Sequence, residues 1–228
     1  MQIASMRHFI QSLSSRAEYA IVLLSAFGYL VFSNIVLLLH PSAIPPISQR
    51  HLVFLLIYES VILLLLFAFL HLRGWTIKSL GIKLTAKDTL IGLGLAVAVY
   101  AAYVLVWWAA SAAGIHAAYA GNNRDLADRS LTLPAVIGVS LLNPIFEETF
   151  LCGYIVTTAK RRNRASAGVN ISVAIRLSYH LYQGGIGVLG IIPVGLIFAW
   201  WYARSGRLWP VFVAHALFDA TGLLQFVG

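Results

Sequence analysis

Two adjacent glutamates interrupt a long apolar stretch of this chain. Glu147 and Glu148 lie in the sequence NPIFEETFLCGY, which begins at Asn143, within an apolar run of residues 131–159. An ionisable side chain inside a bilayer is energetically expensive, so it is interpreted first as a functional residue. Two carboxylates this close also compete for protons, as the groups of a general acid or base pair do. The pair therefore predicts acid–base chemistry within a membrane.

Further ionisable residues fall in other apolar segments, namely Glu59, Arg176, His180, His215 and Asp219. With a rise of about 1.5 Å per residue, Glu147, His180 and Asp219 lie roughly 18 to 22 Å from the same side of the membrane. Buried ionisable groups normally pair with one another or line a wet cavity. We therefore expect three helices to bring these acids and histidines together, and Glu59 to pair with a tyrosine or with Arg176.

Helical spacing separates the roles of the two glutamates. Glu148 shares a helix face with Cys152, whereas Glu147 points about 100° away. We expect one glutamate to face the histidines. The other is expected to orient the first glutamate or to pair with a cation, and Arg176 is the expected counter-charge. His215 and Asp219 are four residues apart, so they also share a face.

The composition is that of a membrane protein. Hydrophobic residues make up 60% of the 228 residues and charged residues only 11%, against about 25% charged in a soluble domain. Seven apolar segments approach the roughly 20 residues that cross a bilayer. They are residues 19–39, 52–70, 89–112, 132–159, 165–183, 186–203 and 208–227. We predict a single all-α integral membrane domain over residues 1–228, a polytopic bundle of about seven spans or eight helices.

The basic residues predict the orientation of this bundle. Twelve of the sixteen Lys and Arg residues fall in the N-terminal segment and in alternate connections, and the other connections hold only Arg50, Arg124 and Arg129. By the positive-inside rule, residues 1–18 are a cytoplasmic tail. We expect a multi-pass protein of the bacterial inner membrane. This placement explains the net charge of +8 without a nucleic-acid partner. The expected partners are membrane lipids and a membrane-associated peptide or protein.

Other functions remain open at the level of the residues. Two histidines with acids can bind Zn²⁺, although the His-Glu-x-x-His pattern of many zinc proteases is missing. A non-catalytic bacteriocin-immunity or scaffold protein is a third class. The single cysteine, Cys152, excludes an internal disulfide, and nothing in its sequence context predicts a reactive thiolate. Our expectation is a site without cofactor or metal.

Three ordered motifs resemble the CPBP family, which contains the CAAX proteases and the bacteriocin-processing (Abi) enzymes. The family patterns are Glu-Glu-x-x-x-Arg, Phe-x-x-x-His and His-x-x-x-Asn/Asp. This chain has Glu147-Glu148-x-x-x-Cys152, Arg176-x-x-x-His180 and His215-x-x-x-Asp219, within residues 131–227. Cys152 stands in place of the family arginine and Arg176 in place of the phenylalanine. We expect Arg176 to supply the missing guanidinium from a neighbouring helix.

The resemblance implies a glutamate-dependent intramembrane endopeptidase related to the Ras-converting CAAX prenyl endopeptidase. It implies that Glu147 and His180 activate a water molecule, while His215 and Asp219 occupy oxyanion-stabilising positions. A carboxylate and an imidazole on one water form a general acid–base pair. Because an ionised aspartate cannot donate a hydrogen bond, we expect Asp219 to orient His215.

Overall fold

The computed structural model is all-α, as predicted, and describes residues 2–40, 46–114, 127 and 130–228. The described residues form eight helices: α1 (Gln2–Ser12), α2 (Ser15–Leu39), α3 (Gln49–Leu72), α4 (Ala86–Ala112), α5 (Leu133–Lys160), α6 (Ala165–Ser178), α7 (Gly184–Ser205) and α8 (Trp209–Leu223). Short 3₁₀ turns follow α6 and α8. The predicted outer loop that carries Arg124 and Arg129 lies mostly outside the described residues.

Five helices of the described chain are long and apolar enough to cross a membrane. They are α2, α3, α4, α5 and the part of α7 from Gly187 to Ser205. The other two predicted spans are shorter helices, because α6 has 14 residues and α8 has 15. Such helices are about 21 to 23 Å long, less than the roughly 30 Å of a hydrocarbon core. The chain turns through Leu181–Gln183 after α6, where the prediction extended the helix to residue 183.

Local signals in the sequence explain where several helices begin and end. The side chains of Ser14, Ser48 and Thr85 accept hydrogen bonds from the first turns of α2, α3 and α4. Such caps satisfy amides that have no partner within the helix. Helix α7 ends at Ser205, and the next residue, Gly206, has a φ of 64°, the left-handed conformation that glycine adopts without strain.

Helix α5 is irregular at the two glutamates. Pro144 lies inside the helix and lacks the amide hydrogen that would continue the hydrogen-bond ladder. The segment Thr149–Val156, directly after Glu148, is wound as a π-helix. Wider winding changes the angular spacing of the side chains that follow, and π-helical segments often occur at functional sites. The helix geometry is therefore irregular at the segment that the sequence marks for chemistry.

Helix α5 is also the centre of the bundle. Within its most apolar window, 67% of the residues are buried by the protein, compared with 11% in α4. Helix α3 runs parallel to α5, since Gln49 bonds Thr132 near one end and Tyr58 packs on Phe146 further along. Helix α6 runs antiparallel, and Gly168 allows its backbone to approach Ala159 closely. These neighbours surround the glutamates with protein rather than with lipid.

Three basic connecting segments meet at one end of the bundle. The backbone amide of Leu208 donates to the carbonyl of Gly81 at 2.9 Å, and Lys160 donates to the carbonyl of Ala203 at 2.6 Å. Arg207 forms an ion pair with the buried Asp88. The segments that the charge pattern assigns to one side of the membrane are thus neighbours in space. That this side is cytoplasmic stays a prediction.

Candidate active site

Arg176 lies between the two adjacent glutamates. Its Nη1 donates to Oε2 of Glu147 at 2.9 Å, and its Nη2 donates to Oε1 of Glu148 at 2.5 Å. Arg176 is 2% exposed, Glu147 4% and Glu148 0%. Gly195 on α7 leaves room for the arginine, because a Cβ there would lie 3.3 Å from its Cδ. One guanidinium from α6 therefore compensates both buried carboxylates of α5.

Within the described part of the chain, the contacts of Glu147 use one of its two oxygens. Oε2 accepts from Arg176 and also from the hydroxyl of Tyr179 at 2.6 Å. Tyr179 is held by its stacking on Phe27, with ring centroids 5.6 Å apart and an interplanar angle of 4°. Sequence reasoning missed Tyr179, although its position directly before His180 was a usable signal. Glu147 is thus fixed through Oε2.

Glu148 uses both oxygens for contacts within the protein. Oε1 accepts from Arg176 and faces Nδ1 of His215 at 2.7 Å. Oε2 accepts from the thiol of Cys152 at 3.1 Å. The cysteine that replaces the family arginine therefore serves as a hydrogen-bond donor to Glu148. The two glutamates therefore have different surroundings, although Arg176 bonds both of them.

His215 and Asp219 form the third part of the site. Nε2 of His215 lies 3.4 Å from Oδ1 of Asp219, while Nδ1 faces Glu148. Both ring nitrogens therefore face carboxylates, and both contacts are satisfied when both nitrogens carry a hydrogen. Oδ2 of Asp219 accepts from Nδ2 of Asn143 at 3.0 Å. Asn143, which the sequence analysis gave no role, joins α5 to α8 at this point.

His180 lies in the turn after α6, with one ring nitrogen engaged. Its Nδ1 lies 2.8 Å from the carbonyl oxygen of Arg176. Since a carbonyl only accepts hydrogen bonds, Nδ1 carries the hydrogen and a neutral His180 keeps a lone pair on Nε2. His180 follows Tyr179, whose hydroxyl donates to Glu147 at 2.6 Å, and the described residues show no direct hydrogen bond between His180 and Glu147. This arrangement suits two groups that act on one water.

Glu59 of α3 is a further buried acid at this site. It is 1% exposed and follows Tyr58, whose ring packs against Phe146, the residue before Glu147. Oε2 of Glu59 has no hydrogen-bond partner among the described residues. Arg176, one of the partners expected for it, bonds the α5 glutamates instead, and the neighbouring Tyr58 hydroxyl donates to the carbonyls of Ser25 and Ala26.

Replacing Glu59 by leucine is expected to stabilise the protein. A buried polar group without a partner costs about 1–3 kcal/mol, and leucine removes the group while filling most of its volume. Thermal and denaturant unfolding of purified wild type and Glu59→Leu would measure the change. As a control, Leu56→Ala one turn earlier on α3 should destabilise. A lower stability would contradict this prediction, and lost activity in a Glu59→Leu variant that is more stable would assign Glu59 a function.

The site also has the spacing of a possible metal centre. Three potential ligand atoms lie within 4.8 Å of one another, one each from Glu147, Glu148 and His215. The same glutamates are bonded by the Arg176 guanidinium, which supplies a positive charge where a metal ion would supply it. A divalent cation at this position would have to be accommodated beside that guanidinium. Acid–base chemistry without a metal fits the contacts more simply.

Comparison with known proteins confirms the resemblance that the three motifs indicate. Residues 129–221 match the family model described as type II CAAX prenyl endopeptidase Rce1-like. The matched segment holds all six predicted site residues, whereas Glu59 and helices α1–α4 lie before it. The match supports CAAX-type protease activity in general terms, and the apolar helices make this a multi-pass membrane protein. No curated protein and no solved structure matches the chain.

Proposed function

We propose that the protein is an intramembrane endopeptidase that hydrolyses a peptide bond of a membrane-associated peptide, lipidated or not. The observation that carries this proposal is that Glu147 and His180, which are linked through Tyr179, are each held in place by one polar atom. Glu147 is held through Oε2, which leaves Oε1 for a water molecule. His180 is oriented through Nδ1, which leaves Nε2 for the same water. We place the protein in a bacterial inner membrane with its N-terminus in the cytoplasm.

The proposed reaction begins with water as the nucleophile. The water oxygen attacks the peptide carbonyl carbon while its proton passes to the Glu147–His180 pair. The carbonyl oxygen becomes an oxyanion, and the C–N bond then breaks as the pair returns the proton to the leaving amine. Such positioned proton transfers contribute about 10² to 10⁴-fold to rates. Arg176 and Tyr179 keep the Glu147 carboxylate in place through both steps.

The oxyanion requires hydrogen-bond donors on the opposite side of the carbonyl. Both nitrogens of His215 already face carboxylates, which favours a positioning role for His215 and Asp219 in the resting site. Asn143 donates one amide hydrogen to Asp219 and has a second available. We propose Asn143 as an oxyanion donor, with His215 joining it if substrate binding displaces Asp219. Donors in a site that excludes water stabilise developing charge strongly.

Substrate trapping tests the proposed activity. Full-length wild type and Glu147→Gln would be reconstituted into vesicles prepared from host membranes. The variant should retain a membrane peptide that wild type cleaves, and mass spectrometry should identify both the retained peptide and its cleavage products. Identical peptide profiles from wild type, Glu147→Gln and empty vesicles would contradict an endopeptidase. Lipid attachment on the trapped peptide would show whether the substrate is prenylated.

Metal removal separates this mechanism from a zinc-dependent one. We expect purified protein to keep its activity after exhaustive dialysis against a chelator, because Arg176 already supplies the positive charge beside both glutamates. Elemental analysis should find no stoichiometric metal in the active fraction, and a known zinc protease would serve as the positive control for chelation. Loss of activity on chelation, with recovery on adding Zn²⁺, would transfer the role of Glu147, Glu148 and His215 to metal binding.

A further inference from the structure

A basic cavity of about 380 Å³ lies at the end of the bundle where the basic segments meet. Its lining includes Lys78 from the α3–α4 connection and Lys160 and Arg161 from the end of α5. Thr157, Tyr202 and Gly206 form part of its wall. The lining residues that the structure describes include no acid, so three cationic side chains border one cavity with no compensating carboxylate among them.

The three cationic side chains of the cavity are exposed, but two of them make defined contacts with the protein. Arg161 stacks over Trp75, with its Cζ 4.1 Å from the ring centroid, and this tryptophan is itself buried and bonded to Glu18. Lys160 is bonded to the carbonyl of Ala203. Two of the three cations therefore have defined positions before any ligand binds.

The wall of the cavity is equally well defined. The hydroxyl of Tyr202 donates to the carbonyl of Leu80 at 3.1 Å and lies 2.7 Å from Oγ1 of Thr157. Gly81 and Gly206 are in such close backbone contact that a Cβ on Gly81 would overlap the Gly206 carbonyl. Gly81 has a φ of 77°, so this turn specifically requires glycine.

The nearby acids are committed to other cations. Asp88 pairs with Arg207 and Glu18 pairs with Arg73. The positive charge at the cavity is thus complementary to an anion from outside the chain. The cavity also lies at the helix ends, and basic pockets between membrane helices bind anionic lipid headgroups.

We propose that this cavity binds a phosphate group, carried by an anionic phospholipid headgroup or by a soluble phosphate compound. Lys78, Lys160 and Arg161 would contact the phosphate oxygens. The site lies at the end of α5 that follows the glutamates, so its occupant would also brace the segment after the π-helical stretch. Its binding chemistry is independent of the peptidase activity.

Lipid titration of the full-length protein tests this proposal. Delipidated protein in detergent, at about 0.15 M salt where the Debye length is about 8 Å, would be titrated with short-chain phosphatidylglycerol or phosphatidylcholine. Native mass spectrometry would count the bound lipid. Each basic side chain near an anionic headgroup contributes about fivefold in affinity, so the double variant Lys78→Gln/Arg161→Gln should lose about 25-fold in affinity for phosphatidylglycerol.

The matched control also removes one lysine and one arginine charge, but at positions outside the cavity. Lys83→Gln/Arg162→Gln changes two exposed cations that are not among the lining residues, and it should bind phosphatidylglycerol nearly as wild type does. A competing titration with inorganic phosphate distinguishes the sources. Displacement by phosphate without a preference for phosphatidylglycerol would assign a soluble ligand, and a lipid preference that phosphate cannot displace would assign the lipid. Equal binding of both probes by wild type and both double variants would overturn the proposal.

Discussion

Glu147→Gln is expected to lower the turnover number by about 10² to 10⁴-fold, the range contributed by a general base. The change preserves the shape of the side chain and one carbonyl oxygen, which can still accept from Arg176 and Tyr179 at the present position of Oε2. Stability should therefore change far less than activity. Initial rates of peptide release in reconstituted vesicles, together with thermal unfolding, would measure both effects. Full activity in Glu147→Gln would reject the assignment of the base.

Glu148→Gln is the matched comparison at the adjacent position. Both oxygens of Glu148 accept hydrogen bonds or face a ring nitrogen. In Glu148→Gln, an amide NH₂ group would replace one of these oxygens and face a hydrogen-bond donor, so that hydrogen bond would be lost. We expect this variant to lose more stability than Glu147→Gln and to retain part of the activity. The expected result is thus a crossed pattern, with activity most sensitive at residue 147 and stability most sensitive at residue 148.

Arg176→Phe is expected to destabilise the protein by about 3–5 kcal/mol, because removing one partner of a buried ion pair leaves the others uncompensated. Here two buried carboxylates would lose their shared cation. Activity should fall together with stability, since Glu147 would also lose one of its two fixed contacts. Denaturant unfolding and peptide release would provide the two measurements. Arg164→Gln, at an exposed position, is the control and should change stability by less than about 0.5 kcal/mol.

A second substitution should rescue this variant. Cys152 contacts Glu148 from the same helix, so Cys152→Arg introduces a guanidinium on α5 close to the space that Arg176→Phe partly vacates. The double variant has the family pattern at both positions, and we expect it to recover at least half of the lost stability together with measurable activity. A double variant no better than Arg176→Phe would show that the origin of the guanidinium, from α6 rather than α5, is essential in this chain.

Several features of this protein follow from the sequence alone. Hydropathy and charge content determine an all-α membrane bundle, because a chain this apolar must satisfy its backbone within helices when it enters lipid. The three ordered motifs predict one candidate site, formed by Glu147, Glu148, His180, His215 and Asp219. The reason is that ionisable side chains inside a membrane normally pair with one another. Helical spacing also predicts different surroundings for the two glutamates, because adjacent side chains of a helix point about 100° apart.

Other features were decided only by the tertiary structure. The shared guanidinium of Arg176, the hydroxyl of Tyr179 and the approach of Glu59 depend on which helices are neighbours, and hydropathy carries no information about lateral order. The short lengths of α6 and α8 depend on turns that tertiary contacts stabilise, while the π-helical segment after Glu148 changes the angles that ideal spacing assumes. The sequence thus determines which ionisable groups must be buried together. Packing decides which atoms they share, because hydrogen bonds between helices depend on distances of a few ångströms that periodicity cannot specify.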